Sequence, residues 1–241
     1  MRPMRSYGGG GGGGFGFPNV ESTAARLAIG LVVGSVLALA VRSVGAMLLL
    51  TPSAVFPGLM LWQPFTYGFV ELHPFGILFG AFALYSIGGG LEMSWGSKRL
   101  LWVVLGGTVL AGLLTVLLSL FFPLLRGVPY TGGWVMGSIA WVAYGLSIGR
   151  GQTNFWGIPI TGNVFAGIGA AFVILNGLSA GWATQIPELL ALAITFIAVR
   201  GGSPRSLMLR LQHWRLQRQL RGRSRHLRVI SEERPDDRFL N

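Results

Sequence analysis

The chain has 241 residues, of which 51% are hydrophobic and only 11% charged, against about a quarter charged in an ordinary soluble domain. That balance excludes a water-soluble globular fold and reads as a polytopic membrane protein. With no cysteine, disulfides, thiol catalysis and thiolate metal sites are excluded, and three histidines (His73, His213 and His226) argue against a histidine metal cluster, so no metal or other cofactor is expected. The 38 glycines and 8 tryptophans agree with a membrane protein, because Gly serves close helix contacts in lipid and Trp sits at the interfaces. The net charge of +11 is lopsided: ten of the nineteen basic residues lie beyond Arg200. It therefore reads as a cytoplasmic tail beside anionic lipid, with no nucleic-acid partner expected.

Taken in order, residues 1–24 form a leader whose unbroken run from Gly8 to Gly14 orders only at high entropic cost and buries nothing. It is expected to be disordered, and without a small-residue cleavage site it does not read as a signal peptide. The first span is predicted over about 25–50. Arg42 interrupts it, and a charge at mid-depth is costly, so Arg42 is expected to snorkel to the outer interface or to meet a polar partner. Pro52, Pro57 and Pro64 then prevent the helix from continuing, which places loop one at about 51–67. Further spans are predicted at about 74–90, 100–122, 132–149, 162–180 and 187–199. The expected fold is an all-α membrane protein, a six-helix bundle over residues 25–200. Residues 201–241 follow as a basic tail, in which 205–221 place leucines and Trp214 along one side as an amphipathic helix on anionic lipid, ahead of a disordered end. Positive charge at Lys98, Arg99, Arg150 and the tail puts both termini on the cytoplasmic side. The expected location is a bacterial plasma membrane.

Gly-x-x-x-Gly pairs occur inside several spans: Gly30/Gly34, Gly76/Gly80, Gly133/Gly137, Gly145/Gly149 and Gly177/Gly181. Both glycines of such a pair lie on one helix face, and the pairs are read mainly as intramolecular packing faces. Glu92, at the end of the second span, faces the exposed carbonyls of a helix C-terminus and needs compensation. The nearest cations in sequence are Arg99 and Lys98. Glu188 stands at the mouth of the last span, where an acid is a functional candidate, and Arg42 is its candidate counter-charge. His73, beside Glu71, reads as a solvated loop histidine.

The loop Trp62-Gln63-Pro64-Phe65-Thr66-Tyr67, then a membrane helix, then Gly88-x-x-Leu91-Glu92-x-x-Trp95-Gly96-x-x-Arg99 resembles the first loop and second helix of the rhomboid superfamily of intramembrane serine proteases. The resemblance covers about residues 25–200. It implies a structural framework of Trp62, Thr66, Leu91, Glu92, Trp95, Gly96, Arg99, Gly133 and Gly137. It also implies where chemistry would sit: a serine at the outer start of the fourth span, a histidine on the sixth, and a His-x-x-x-Asn pair on the second. Those positions hold Gly132, Gln185, Gly76 and Gly80. Glycine has no nucleophile, and glutamine cannot take up a proton near neutral pH. The chain is therefore identified as a catalytically degenerate member of the derlin or inactive-rhomboid kind, for which the resemblance implies binding of membrane-protein clients. Two alternatives stand beside it. One is an active intramembrane protease with a noncanonical nucleophile such as Ser138; the other is a small transporter or channel, for which inverted repeats and broken-helix pairs are missing.

Overall fold

The structure, a computed structural model, describes residues 21–155 and 157–201. The leader up to residue 20 and the tail from residue 202, including the expected amphipathic helix at 205–221, lie outside the described residues. In lipid an apolar segment must satisfy its backbone N–H and C=O groups internally, and helices do this. The chain forms α1 (Thr23–Ala40), α2 (Arg42–Leu48), two single turns α3 (Pro52–Val55) and α4 (Gln63–Thr66), α5 (Pro74–Phe82), α6 (Gly88–Trp95), α7 (Ser97–Phe121), α8 (Gly133–Ile148), α9 (Gly162–Ala180) and α10 (Ile186–Arg200). One antiparallel hairpin, β1 (Gln152–Phe155) and β2 (Ile158–Thr161), joins α8 to α9.

This is an all-α membrane protein in which five helices are long and apolar enough to cross a bilayer: α1, the continuous run Pro74–Trp95, α7, α9 and Trp182–Arg200. The remaining expected span, the fourth, is α8, which has 16 residues, about 24 Å at ~1.5 Å per residue. That is short of the ~30 Å hydrocarbon core. Its shortness has a counterpart in its surroundings: eleven of its residues are buried. It packs against α5, α7, α9 and α10, and is apolar on every face as an enclosed helix must be.

Two expectations are corrected. The first span does not run unbroken to residue 50: Val41 is extended (φ −128°, ψ 98°), α1 stops at Ala40, and Arg42 begins a separate helix with its side chain exposed. The break removes the charge from the spanning segment. The second span does not end at Gly90. A π turn at Ala83–Ile87 carries it on through Leu91, Glu92 and Trp95 to Gly96, whose φ of 81° stops the helix. The polar connection after Arg150 forms the β1–β2 hairpin.

Loop one finishes α2. A helix leaves its last four carbonyls without intrahelical partners, and here each finds one. Leu49 N–H donates to Gly45 O, Gln63 Nε2 to Ala46 O at 3.4 Å, Trp62 Nε1 to Met47 O at 3.0 Å, and Thr66 Oγ1 to Leu48 O at 3.0 Å. Trp62 and Thr66 thus hold the end of α2 through their polar atoms. Tyr67 is wholly buried and donates to Thr108 O of α7 at 2.5 Å.

Glu92 is compensated by a helix start and not by a cation. Its carboxylate accepts from Thr23 N–H (3.0 Å) and Ala24 N–H (2.9 Å), the orphan donors of α1, and from Ser97 Oγ (2.5 Å). Ser22 Oγ caps Ala25 N–H in the same turn. A carboxylate suits the positive end of the α1 dipole. Arg99 lies over the Trp95 ring, 4.4 Å from its centroid. The two side chains therefore act separately, so Glu92→Ala is expected to cost ~1–2 kcal/mol as a lost cap and Arg99→Ala ~0.5–1 kcal/mol as a lost exposed cation–π contact. Thermal unfolding of the single and double variants in detergent should show additive losses; a double variant milder than the sum would restore an ion pair.

Candidate functional site

Three of the four positions at which the resemblance implies catalytic side chains, Gly132, Gly76 and Gly80, cluster where loop one meets the start of α8. Gly132 is the N-cap of that helix. Its N–H donates to Tyr67 O (2.9 Å) and Val70 O (3.1 Å), and Gly133 N–H also reaches Val70 O (3.3 Å). Loop one therefore consumes the donors that a helix N-terminus otherwise offers to a developing anion. Space is consumed as well. A Cβ at Gly132 would stand 2.7 Å from Gly68 Cα, and one at Gly133 would stand 2.6 Å from a Leu31 methyl. On α5, a Cβ at Gly76 would meet Glu71 Cγ at 2.7 Å, and one at Gly80 would meet Gly133 O at 3.2 Å. Gly137 brings α8 against Gly80 Cα in the same crossing. The glycines of these pairs are the surfaces along which loop one, α1, α5 and α8 close on one another.

The centre of the cluster is Glu71, two residues before the loop histidine His73. It is 7% exposed. Oε2 accepts from Thr131 Oγ1 (3.2 Å) and from Trp134 N–H (3.3 Å), while Oε1 accepts from Leu72 N–H (3.0 Å) and His73 N–H (3.3 Å). Its own N–H donates to Ser35 Oγ of α1 at 2.9 Å. One side chain thus ties loop one to the N-terminus of α8 and the backbone beside it to α1. A trace of this was present in the sequence, since an acid in this position suits two glycine pairs whose missing side chains leave room for it, Gly76 and Gly133.

Gln185 and Glu188 form a second buried pair at the start of α10. With the amide oriented so that its nitrogen faces the carboxylate, Gln185 Nε2 donates to Glu188 Oε2 at 2.5 Å. Glu188 also sits in the first turn of its helix, where a negative charge is favoured. The expected partnership of Glu188 with Arg42 is not formed. Tyr130 Oη donates to Ala183 O (3.0 Å), linking the approach to α8 with the turn before α10. Burial pushes the Tyr130 phenol up to about 12 and the Tyr67 phenol still further above its ordinary value, so neither serves as a base near neutral pH. Ser138 is buried and donates back to Trp134 O at 2.8 Å, one helical turn earlier. His73 is exposed at the start of α5, with its imidazole outside the cluster.

Chemically, this arrangement holds helix ends together. Its carboxylates accept from backbone N–H groups, from an amide and, at Glu71, from the Thr131 hydroxyl. Among them no group of three or more His, Cys, Asp or Glu side chains is placed to hold a metal ion.

A family model described as eukaryotic integral membrane protein (DUF1751) matches residues 25–145, which is 121 of the 241 residues. The match takes in α1 to the last turn of α8, and so loop one, Glu71 and Gly132. No curated protein matches the chain. The eukaryotic description of the family does not fit the bacterial plasma membrane expected from the sequence.

Proposed function

The chain belongs to this family of eukaryotic integral membrane proteins, and from that premise we propose that it is a rhomboid-like pseudoprotease that binds membrane-protein clients without cleaving them. One observation carries the reading: loop one occupies the start of α8 completely, taking the N–H groups of Gly132 and Gly133 and leaving no room for even a Cβ at Gly132. A scissile carbonyl placed there would find neither a nucleophile nor an open oxyanion donor. Gln185, in place of a base, is committed to Glu188.

A client helix has a surface to use elsewhere. Between α1 and the second span lies an apolar groove of about 460 Å³ floored by the small residues Ala25, Ala28 and Ala81. Small residues allow close helix approach where hydrophobicity does not separate helix from lipid.

The test uses full-length protein in detergent and a fluorophosphonate probe, with an active intramembrane serine protease as the positive control. No labelling is expected. Labelling that disappears in Ser138→Ala would overturn the pseudoprotease reading. Photocrosslinkers at Ile29 and Val32, which flank the groove, are expected to capture membrane-protein segments from native membranes, whereas capture from every lipid-facing position alike would remove the groove from the proposal.

A further inference from the structure

A second and larger cleft, of about 1090 Å³, lies between the second span, α8, the β1–β2 hairpin and α9. It is slightly larger than the range of about 300–1,000 Å³ that small-molecule sites occupy. Its wall is a connected set of rings: Trp141 stacks on Phe165 at 5.0 Å between centroids and on Phe79 at 5.5 Å, and Phe172 meets Trp141 edge-on at 6.2 Å. Trp141 is fixed by its Nε1–H, which donates to Phe165 O at 2.8 Å. The cleft opens sideways, where Phe82 is 53% exposed, Phe172 47% and Met93 82%. In a membrane-spanning bundle that opening faces acyl chains.

The polar part of the cleft is confined to one end. The hairpin contributes Gln152, Thr153 and Asn154. It joins the last residue of α8 to the first of α9, and Gly90 and Met93 close the second span on the same side. Phe79, Phe82 and Phe172 lie further along the helices. Among the described residues, none that lines the cleft is charged. Midway, Ser86 adds a hydroxyl that is buried without a partner. The hydroxyls of Thr108, Thr115, Ser138 and Thr195 bond back to the carbonyl four residues earlier. Ser86 lies in the π turn and makes no such bond. A buried hydroxyl left open beside an apolar cleft is costly unless an acceptor arrives.

We propose that this cleft binds a neutral glycerolipid of the diacylglycerol class from the leaflet on the hairpin side, its hydroxyl and ester groups at the hairpin and Ser86 and its acyl chains along the aromatic wall. An ionic headgroup would meet no counter-charge among the described residues that line the cleft. A sterol brings one hydroxyl and no ester acceptor, too few partners for Gln152, Thr153, Asn154 and Ser86. The volume matches two chains better than one flat ring system.

The experiment uses full-length protein in phosphatidylcholine nanodiscs and a diacylglycerol carrying a diazirine in one acyl chain, with crosslinked peptides located by mass spectrometry. Crosslinks are expected to concentrate on residues 79–93 and 165–172 and to be competed by unlabelled diacylglycerol, but not by phosphatidylserine or cholesterol. Thr153→Val with Asn154→Leu is expected to lower labelling about tenfold, equivalent to ~1.4 kcal/mol, and Ser86→Ala to lower it a few-fold. Should the hairpin variant unfold, Ser86→Ala decides, because it removes one atom. Labelling spread evenly over all lipid-facing helices would overturn the proposal, as would equal competition by phosphatidylserine or cholesterol, displacement by an apolar client peptide, or labelling untouched in Ser86→Ala. These outcomes do not depend on whether the protein reacts with a fluorophosphonate.

Discussion

Glu71→Ala is expected to destabilise the bundle more than any other single truncation in loop one. It would strip the acceptor from Trp134 N–H, Leu72 N–H, His73 N–H and the Thr131 hydroxyl at once. A buried donor left unsatisfied costs ~1–3 kcal/mol. Shared relaxation keeps the sum below four separate losses, so a total of ~3 kcal/mol or more is expected, near the ~3–5 kcal/mol of a broken buried pair. At roughly 2–4 °C per kcal/mol for a chain of this size, the midpoint of thermal unfolding in detergent should fall by about 10 °C. Glu71→Gln keeps one acceptor oxygen and should lose about half as much. A fall of only 1–2 °C in Glu71→Ala would show that water or a neighbouring side chain can replace the carboxylate. The loss should also appear locally, as faster hydrogen exchange at the first turn of α8.

Gly132→Ser, the substitution that would recreate the nucleophile implied by the resemblance, is expected to damage the fold and produce no hydrolysis. Its φ of −124° is open to any residue, so the cost is purely one of contact. The new Cβ would stand 2.7 Å from Gly68 Cα, 2.8 Å from Tyr67 Cδ2 and 2.9 Å from Gly68 N, and two of these are backbone atoms that cannot rotate away. Overpacking of this kind costs ~1–3 kcal/mol. Gly132→Ala should therefore cost as much as Gly132→Ser, because the Cβ and not the hydroxyl makes the contact. Turnover of a transmembrane reporter by Gly132→Ser would reveal a base that the geometry of Gln185 does not provide. Equal stability of wild type and both variants would mean that loop one yields easily, and would return the start of α8 to consideration as an open site.

Much of the candidate site was legible as identity and little of it as geometry. That Gly132, Gly76, Gly80 and Gln185 lack a nucleophile, an oxyanion-side donor and a base follows from the letters alone, because glycine has no side chain and an amide does not take up a proton near neutral pH. That the same glycines seal the region could not be read, since their neighbours come from segments remote in the chain: Leu31 on Gly133, Gly68 on Gly132, Glu71 on Gly76. Glu92 stands where compensation is needed, yet two of its three partners are 68 and 69 residues away. The candidate cation, Arg99, was chosen because charge is the only partner a sequence displays. Backbone N–H groups belong to every residue except proline and carry no letter.

The sequence by itself determined that this protein lies in a membrane, and where most of its helices run. A run of apolar residues has no other stable state in lipid than one that closes its own hydrogen bonds. For that reason the expected limits of 132–149, 162–180 and 187–199 differ by at most one residue from α8, α9 and α10. Tertiary structure decided the break at Val41, the π turn at Ala83–Ile87, the enclosure of α8 and the partners of Glu71, Glu92 and Glu188. Each of these depends on which helix end or backbone group arrives from elsewhere in the chain. Hydropathy measures a residue's preference for lipid over water and is silent about contacts made between segments that are equally apolar.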